Sequence, residues 1–281
     1  MTQIKIATDS SVQLSPDEIA ENNITIVPLS LMIDGTVYSD GVTITRTEFM
    51  EKMAVAKALP KTSQPPIGAF VDAYDALAGD DVEVLSIHMM ESISGTVHSA
   101  EQAAQLSKTD VTVIDSEVTD RAMGFQVLTA AKMAAEGKSM AEILARLEEI
   151  KQHTKLFLTV PMLDNLVAGG RLNKAVGVIG GLLNIKVVIE VVKGHITIAA
   201  KGRGMKTIHK YFDHIYEEMQ TFGSIKRIGV SHAGALEGAL VVAEKVRGMF
   251  PGTEVYIEQT SPIISTHVGP GVVAIMYEYG E

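Results

Sequence analysis

The hydrophobic patterning predicts an α/β protein made of two α/β domains with mostly parallel sheets. Three observations carry that expectation. Short Ile- and Val-rich runs recur along the 281 residues, most of them separated by amphipathic helical stretches. Clusters of small hydroxyls, Gly and His follow several of these runs, where open α/β sheets bind ligands beyond the carboxyl ends of their strands. Past the midpoint the rhythm changes to two helices in succession and then a hairpin, which divides the chain into residues 1–155 and 156–281.

The first run, Ile4–Ala7, starts almost at the N-terminus, and Ile24–Ile33, Val82–His88 and Val111–Ile114 follow as strands of the first domain. Thr45-Arg46-Thr47-Glu48 has the form of a capping box opening a helix through Lys57, and Ile67–Ala78 starts a helix after Pro65-Pro66. Helices fit Thr96–Leu106, Asp120–Ala135 and Ser139–His153, the last with Ser139 as N-cap and Glu142 three residues on. In the second domain the strands are Lys155–Val160, Ile185–Val192, Ile196–Ala200, Arg227–Val230, Glu254–Ile257 and Val272–Tyr277. Helices fit Lys206–Phe222 and Ala235–Met249, and Lys193-Gly194 supplies a hairpin turn.

Composition narrows the function. Hydrophobic residues make up 46% and the net charge is −10, which argues against nucleic acid or an anionic membrane as partner, since both require a basic footprint. Without cysteine, disulfides, thiolate catalysis and Cys-ligated metal are excluded. The apolar stretch from Val176 to Val192 is broken by Asn184, Lys186 and Glu190, so no stable membrane insertion is expected. No signal peptide precedes the first strand, and the expected location is cytoplasmic. No Walker A or G-x-G-x-x-G motif points to a nucleotide, and the histidines lack acidic companions at metal-ligand spacing.

The candidate site residues lie in the hydroxyl-rich clusters. Ser92-Ile93-Ser94-Gly95-Thr96 joins a buried strand to a helix whose exposed N–H groups attract an anion. N-capping accounts for one of its hydroxyls, leaving the others over. Lys61-Thr62-Ser63-Gln64-Pro65 reads by itself as a proline-stiffened loop. His267 is placed in a Gly/Pro-rich loop before the last strand, a better functional position than a helix face. Asp115 reads as a turn anchor, while Asp9 stays open between anchor and ligand. Arg171 and Arg203 stand in Gly-rich turns flanking the hairpin, as solvated surface or as a patch for an acidic partner or a phosphate.

Taken together, TDSS at Thr8, KTSQP at Lys61, SISGT at Ser92, DS at Asp115, LDNLVAGGRL at Leu163, IK at Ile185 and HVGPG at His267 resemble the DegV family in order and spacing. Each motif is weak by itself; seven in order are specific, and they span essentially the whole chain. DegV proteins are bacterial fatty-acid-binding proteins, and some serve as the lipid-presenting subunit of a fatty acid kinase. The resemblance implies one long-chain fatty acid buried between the domains. Its carboxylate would be held by Thr62 and Ser94 with Gly95, and His267 would lie alongside. Arg171 and Arg203 would take part in kinase docking. The chain departs from the usual pattern at Val187, Gln13 and Val268, and its basic run around Arg203 is interrupted by glycine.

The leading expectation is therefore a carrier without intrinsic catalysis or cofactor, whose bound acid is phosphorylated by a separate ATP-dependent kinase. Hydroxyls and N–H groups suffice to bind a carboxylate, and each buried methylene adds about 0.8 kcal/mol. Fourteen methionines and no tryptophan suit an adaptable channel. Candidate linings are Ile67–Tyr74, Met89-Met90, Met123–Leu128 and Val176–Leu183. Arg171 and Arg203, set in exposed turns, are expected to lie away from the acyl chain. The alternative is a serine hydrolase with Ser94 as nucleophile and His267 as base, although no acid to orient His267 and no G-x-S-x-G elbow are present. A lipid sensor that never meets a kinase is the third reading.

Overall fold

The structure, a computed structural model, describes residues 2–172 and 185–280. Strands β1 (Gln3–Asp9), β2 (Thr25–Val27), β6 (Val82–His88) and β7 (Asp110–Asp115) form a parallel sheet in the order β2-β1-β6-β7. Strands β3 (Ser30–Ile33), β4 (Thr36–Ser39) and β5 (Lys61–Ser63) form a small antiparallel sheet. The run expected as one strand over Ile24–Ile33 is thus two strands in different sheets. Pro28 separates them because it offers no N–H to a ladder.

Helices α1 (Pro16–Glu21) and α2 (Arg46–Val55) each open on a complete capping box, at Ser15 and at Thr45. Helices α3 (Ile67–Ala76) and α4 (Thr96–Leu106) pack together beside the parallel sheet, around Phe70, Tyr74, Ala100 and Ala103. Helix α5 (Asp120–Ala135) touches β1 and β6 on one side and β8, β11 and β13 of the second sheet on the other. That position explains why its residues from Asp120 to Val127 are buried in unbroken succession: a helix between two sheets has no solvent face there. Helix α6 (Met140–Gln152) follows it, as the sequence predicts.

After α6 the chain enters a six-stranded sheet of order β10-β9-β8-β13-β11-β12. It comprises β8 (Thr154–Val160), β9 (Lys186–Val192), β10 (His195–Gly202), β11 (Ile225–Ala233), β12 (Glu254–Gln259) and β13 (Val272–Tyr279). The α/β class holds, but "mostly parallel" describes only the first sheet. Here β11–β12 is the parallel pair and the other pairings are antiparallel. Part of the reason is local. The two-residue turn Lys193-Gly194 has φ of 48° and 72°, the left-handed pair that joins neighbouring antiparallel strands.

Helices α7 (Asp164–Ala168), α8 (Met205–Thr221), α9 (Leu236–Met249) and α10 (Pro262–Val268) complete the described elements. His267 therefore sits in the last turn of a short helix capped by Ser261, not in a loop. Lys61–Ser63 is likewise an edge strand rather than a loop. One continuous core joins the two halves, from Ile6, Leu85 and Phe125 to Leu156, Ala274 and Met276. No helix among the described residues is long and apolar enough to cross a membrane.

Candidate functional site

A cavity of about 660 Å³ lies between the two halves, within the size range of small-molecule sites. Strands β8, β9 and β13 give it a wall of alternate residues, Leu156 and Leu158, Ile189 and Val191, Val272, Ala274 and Met276. The period of two sends these side chains to one face. Met89 and Met90 line it from the other half, as expected. Ile67–Tyr74 packs instead against α4 and the parallel sheet, and Met123–Leu128 contributes to the core without reaching the cavity. Val176–Leu183 lies outside the described residues.

At one part of the cavity the fold assembles five of the six residues singled out in the sequence: Thr62, Ser94, Gly95, Arg171 and His267. They come from β5, the turn before α4, the turn after α7, and α10. Thr62 Oγ1 and His267 Nε2 lie 2.8 Å apart across the two halves. Ser94 Oγ is 2.8 Å from Thr96 Oγ1 and accepts from the Thr96 N–H at 3.3 Å. Gly95 caps α4 with no side chain to bond the first-turn N–H groups, which leaves donors and the positive end of the helix dipole for an anion.

Two glycines owe their identity to close approach. A Cβ on Gly169 would stand 2.5 Å from His267 Nδ1, and one on Gly95 would meet the Gln64 amide. His267 Nδ1 is buried without a partner among the described residues. Burial, reinforced by the Arg171 guanidinium, pushes its pKa down from 6.5 to about 4. The ring is thus neutral at ordinary pH.

Arg171 corrects an expectation. It is half-buried and lines the cavity, with Nε donating to the Ile93 carbonyl at 3.2 Å and an Nη to the Gly169 carbonyl at 2.6 Å. Its place after the tight Gly169-Gly170 turn brings it inward. Arg203 is exposed and apart from the cavity, as its Gly-rich setting suggests.

The Ser94–His267 pair needed for a hydrolase is not assembled, since His267 meets Thr62 and Ser94 meets Thr96. A Ser–His–Asp chain does exist elsewhere. Ser86 Oγ lies 2.7 Å from His88 Nε2, and His88 Nδ1 lies 3.1 Å from Asp9 Oδ2. It is fully buried, and Tyr74 donates to Ser86 at its outer end, so no substrate can reach the hydroxyl. Asp9 also accepts from the Ser11 N–H and hydroxyl and from the Met89 N–H. Burial raises its pKa, but His88 and these donors outweigh that and hold the carboxyl below its usual range. Asp9 is thus an anchor of the β1 and β6 ends. Asp115 is a turn anchor too, accepting from the Glu117 and Glu91 N–H groups.

Sequence reasoning missed a second polar cluster on the cavity, formed by Thr119, Asp120, Ser231, His232 and Thr260. Asp120 sits at φ +61° at the head of α5, and burial raises its pKa against the bonds from Ser231 and Thr260. The available signal was two pairs of polar residues at strand ends, SH at Ser231 near the end of β11 and TS at Thr260 just after β12.

Fold and site together define a class: an α/β protein whose two halves enclose a largely apolar cavity, edged at one part by hydroxyls, a neutral imidazole and an arginine. The family profile described as "Uncharacterised protein, DegV family" matches residues 3–280. The chain belongs to the DegV family. It is 42% identical over 279 residues to a DegV domain-containing protein of Streptococcus pneumoniae, covering 99% of both chains. Its fold matches the crystal structure of DegV, described as a fatty acid binding protein from Bacillus subtilis, with a TM-score of 0.90, 30% identity and full coverage of both chains. A DegV family protein from Thermus thermophilus, described for its fatty acid binding, matches at a TM-score of 0.86 and 31% identity, over 99% of this chain and 100% of the other.

Proposed function

We propose that this protein binds one long-chain fatty acid in the cavity, with the carboxylate at Thr62, Ser94, Gly95 and His267. The observation that carries this reading is the gathering of Thr62, Ser94, Gly95, Arg171 and His267 from both halves of the chain at one part of an otherwise largely apolar chamber. A carboxylate there accepts from hydroxyls, helix N–H groups and a neutral imidazole, with Arg171 offsetting its charge. The acyl chain then replaces water along the Leu, Ile, Val and Met walls at about 0.8 kcal/mol per methylene. In this reading the division near residue 155 makes the two halves the opposing walls of the site. Solved relatives described as fatty-acid-binding support it.

The head-group end would be presented to a separate ATP-dependent kinase in the cytoplasm, which phosphorylates the carboxylate while this chain supplies only position. Arg171, beside the carboxylate, would also steady the acyl phosphate, and the exposed Arg203 would meet the kinase. This reading is preferred to a serine hydrolase because Ser94 and His267 bond other partners and His267 lacks an orienting acid.

Lipid extraction and mass spectrometry of the purified protein test the first part. One fatty acid per chain is expected; empty protein that also refuses added oleate or palmitate ends the carrier reading. With a cognate kinase, ATP and Mg²⁺, Arg203→Ala should bind lipid normally yet lose acyl-phosphate formation. Arg171→Ala should weaken both. Parental phosphorylation of Arg203→Ala would leave that residue as ordinary surface charge.

A further inference from the structure

Ser231 and Asp120 meet on the cavity wall in a way that fixes where a proton lies. Strand register puts Ile189, Leu158, Ala274 and Ser231 in one row across β9, β8, β13 and β11, and all four line the cavity. The row is hydrocarbon for three strands and ends on a hydroxyl. Ser231 Oγ lies 2.6 Å from Asp120 Oδ1, so the Asp120 carboxyl, at the head of α5, belongs to the same face of the sheet. Both residues are buried, and Asp120 also lines the cavity.

Counting protons at this point leaves one to be placed. Ser231 Oγ lies 3.0 Å from Gln13 Oε1 as well. The Gln13 amide is oriented by its Nε2, which donates to the Glu258 carbonyl at 3.1 Å, so it is an oxygen that faces Ser231. A hydroxyl carries one proton. If Ser231 gives it to Asp120, the Gln13 oxygen faces a lone pair; if it goes to Gln13, the contact with Asp120 has none. The other donors at the carboxyl are already used, the Arg121 N–H on Oδ1 at 2.7 Å and the Thr260 hydroxyl on Oδ2. A proton on Asp120 itself completes the set: Oδ1 donates to Ser231, and Ser231 donates to Gln13.

The charges around the carboxyl agree. Among the described residues no cation forms an ion pair with it. On α5 the Arg121 guanidinium turns to Glu18 through two bonds of 2.7 Å and lies 3.8 Å over the Tyr256 ring. From α2, Arg46 attracts the carboxyl from a distance while donating to the Gln259 carbonyl. On β11, burial favours the neutral form of His232. Strand β12 brings the like charge of Glu258, and β1 carries Asp9, tied to His88. Burial outweighs the bonds from Ser231, Thr260 and Arg121 and favours the neutral acid.

We propose that Asp120 is a protonated carboxylic acid built into the cavity wall, and that its ionisation at alkaline pH turns fatty-acid binding off. An acyl chain lying along the Ile189–Ala274 row removes the solvent that an ionised Asp120 would need, so ligand and proton favour each other. The coupling rests on the carrier reading above; the protonation does not.

Infrared spectroscopy of the delipidated protein tests the protonation. At neutral pH the carbonyl stretch of a buried protonated carboxyl should be present in the parent and missing in Asp120→Asn. The amide stands in for the neutral acid, on a left-handed backbone that Asn tolerates. Identical spectra would overturn the inference. Titration with palmitate across the neutral and alkaline range tests the coupling. Parental affinity should fall on the alkaline side by up to about tenfold per pH unit, the slope of one proton, while Asp120→Asn holds its affinity. Asp40, raised to about 7, is present in both proteins, so the difference between them reports Asp120. Parallel profiles would overturn the switch. If palmitate binds neither protein at any pH, the carrier reading and the coupling fall together, and the infrared band still decides the protonation. Should Asp120→Asn not fold, calorimetry of the parent in two buffers of different ionisation enthalpy decides. Proton uptake on binding at alkaline pH is expected, and its absence overturns the inference.

Discussion

His88 and His267 are each tied to a hydroxyl at a similar distance, yet one belongs to the scaffold and the other to the site. Both ring nitrogens of His88 are engaged, by Ser86 and by Asp9, and the residue is fully buried. His267 has one nitrogen on Thr62 and the other without a partner against Gly169, and the residue lines the cavity. The geometry that resembles a catalytic triad is the inert one, because every donor and acceptor in it is spoken for and no space adjoins it. A satisfied buried network fixes a fold; an unsatisfied one next to a void is where a ligand completes the count.

The comparison breaks most visibly in stability. Asp9→Ala leaves His88, the Ser11 hydroxyl and the Met89 N–H without their acceptor in a site closed to solvent. A loss of about 3–5 kcal/mol is expected, read as a lowered urea midpoint, with fatty-acid affinity of the folded protein nearly unchanged. An unshifted midpoint would remove His88 and Asp9 from the scaffold.

The reverse signature belongs to the head-group site. Thr62→Ala and Ser94→Ala each delete a bond to a charged ligand and should weaken fatty-acid binding by roughly tenfold to a hundredfold, about 1.5–3 kcal/mol. Their unfolding midpoints should move little. Isothermal titration of the delipidated protein reads the first, chemical denaturation the second. Full affinity in the double variant would place the carboxylate elsewhere.

The smallest effect concerns protons. His267 is held neutral, with its pKa lowered from 6.5 to about 4. Between those values the unfolded chain binds the proton and the folded one does not, so stability falls as pH drops from about 6.5 to about 4 and changes no further below. Asp40 has the opposite sign. Burial raises its pKa from 3.8 to about 7 against the Ser10 bond, so its contribution is fullest below about 4 and is lost as pH rises through 7. In His267→Gln the acid-side loss should shrink by about 1–2 kcal/mol, allowing for the solvent near a half-buried ring. A pH profile parallel to the parent's would show that the ring is not held neutral.

Much of the fold was legible in local pattern. The helices over Thr96–Leu106 and Asp120–Ala135 run between the residues the periodicity marks. The Lys193-Gly194 turn joins its two strands as its residue types require. Short elements were harder to read. Three-residue β5 and six-residue α1 are too brief to show a period, and both are held by neighbours, β5 by β3 and α1 by the Glu18–Arg121 pair. The site was legible as residue types and order, through motifs resembling a family, rather than as geometry.

What the sequence determined by itself is whatever depends on near neighbours: which stretches are strand or helix, where caps and turns fall, and which hydroxyls and glycines gather at strand ends. Tertiary structure alone decided that Thr62 meets His267, 205 residues away, that Arg171 turns into the cavity, and that the second sheet is largely antiparallel. It also decided which histidines keep a nitrogen free. The reason is physical. Periodicity and capping are settled within a few residues along the chain. The partner of a buried polar group is settled by packing between distant segments, each of which must satisfy its own donors and acceptors at once.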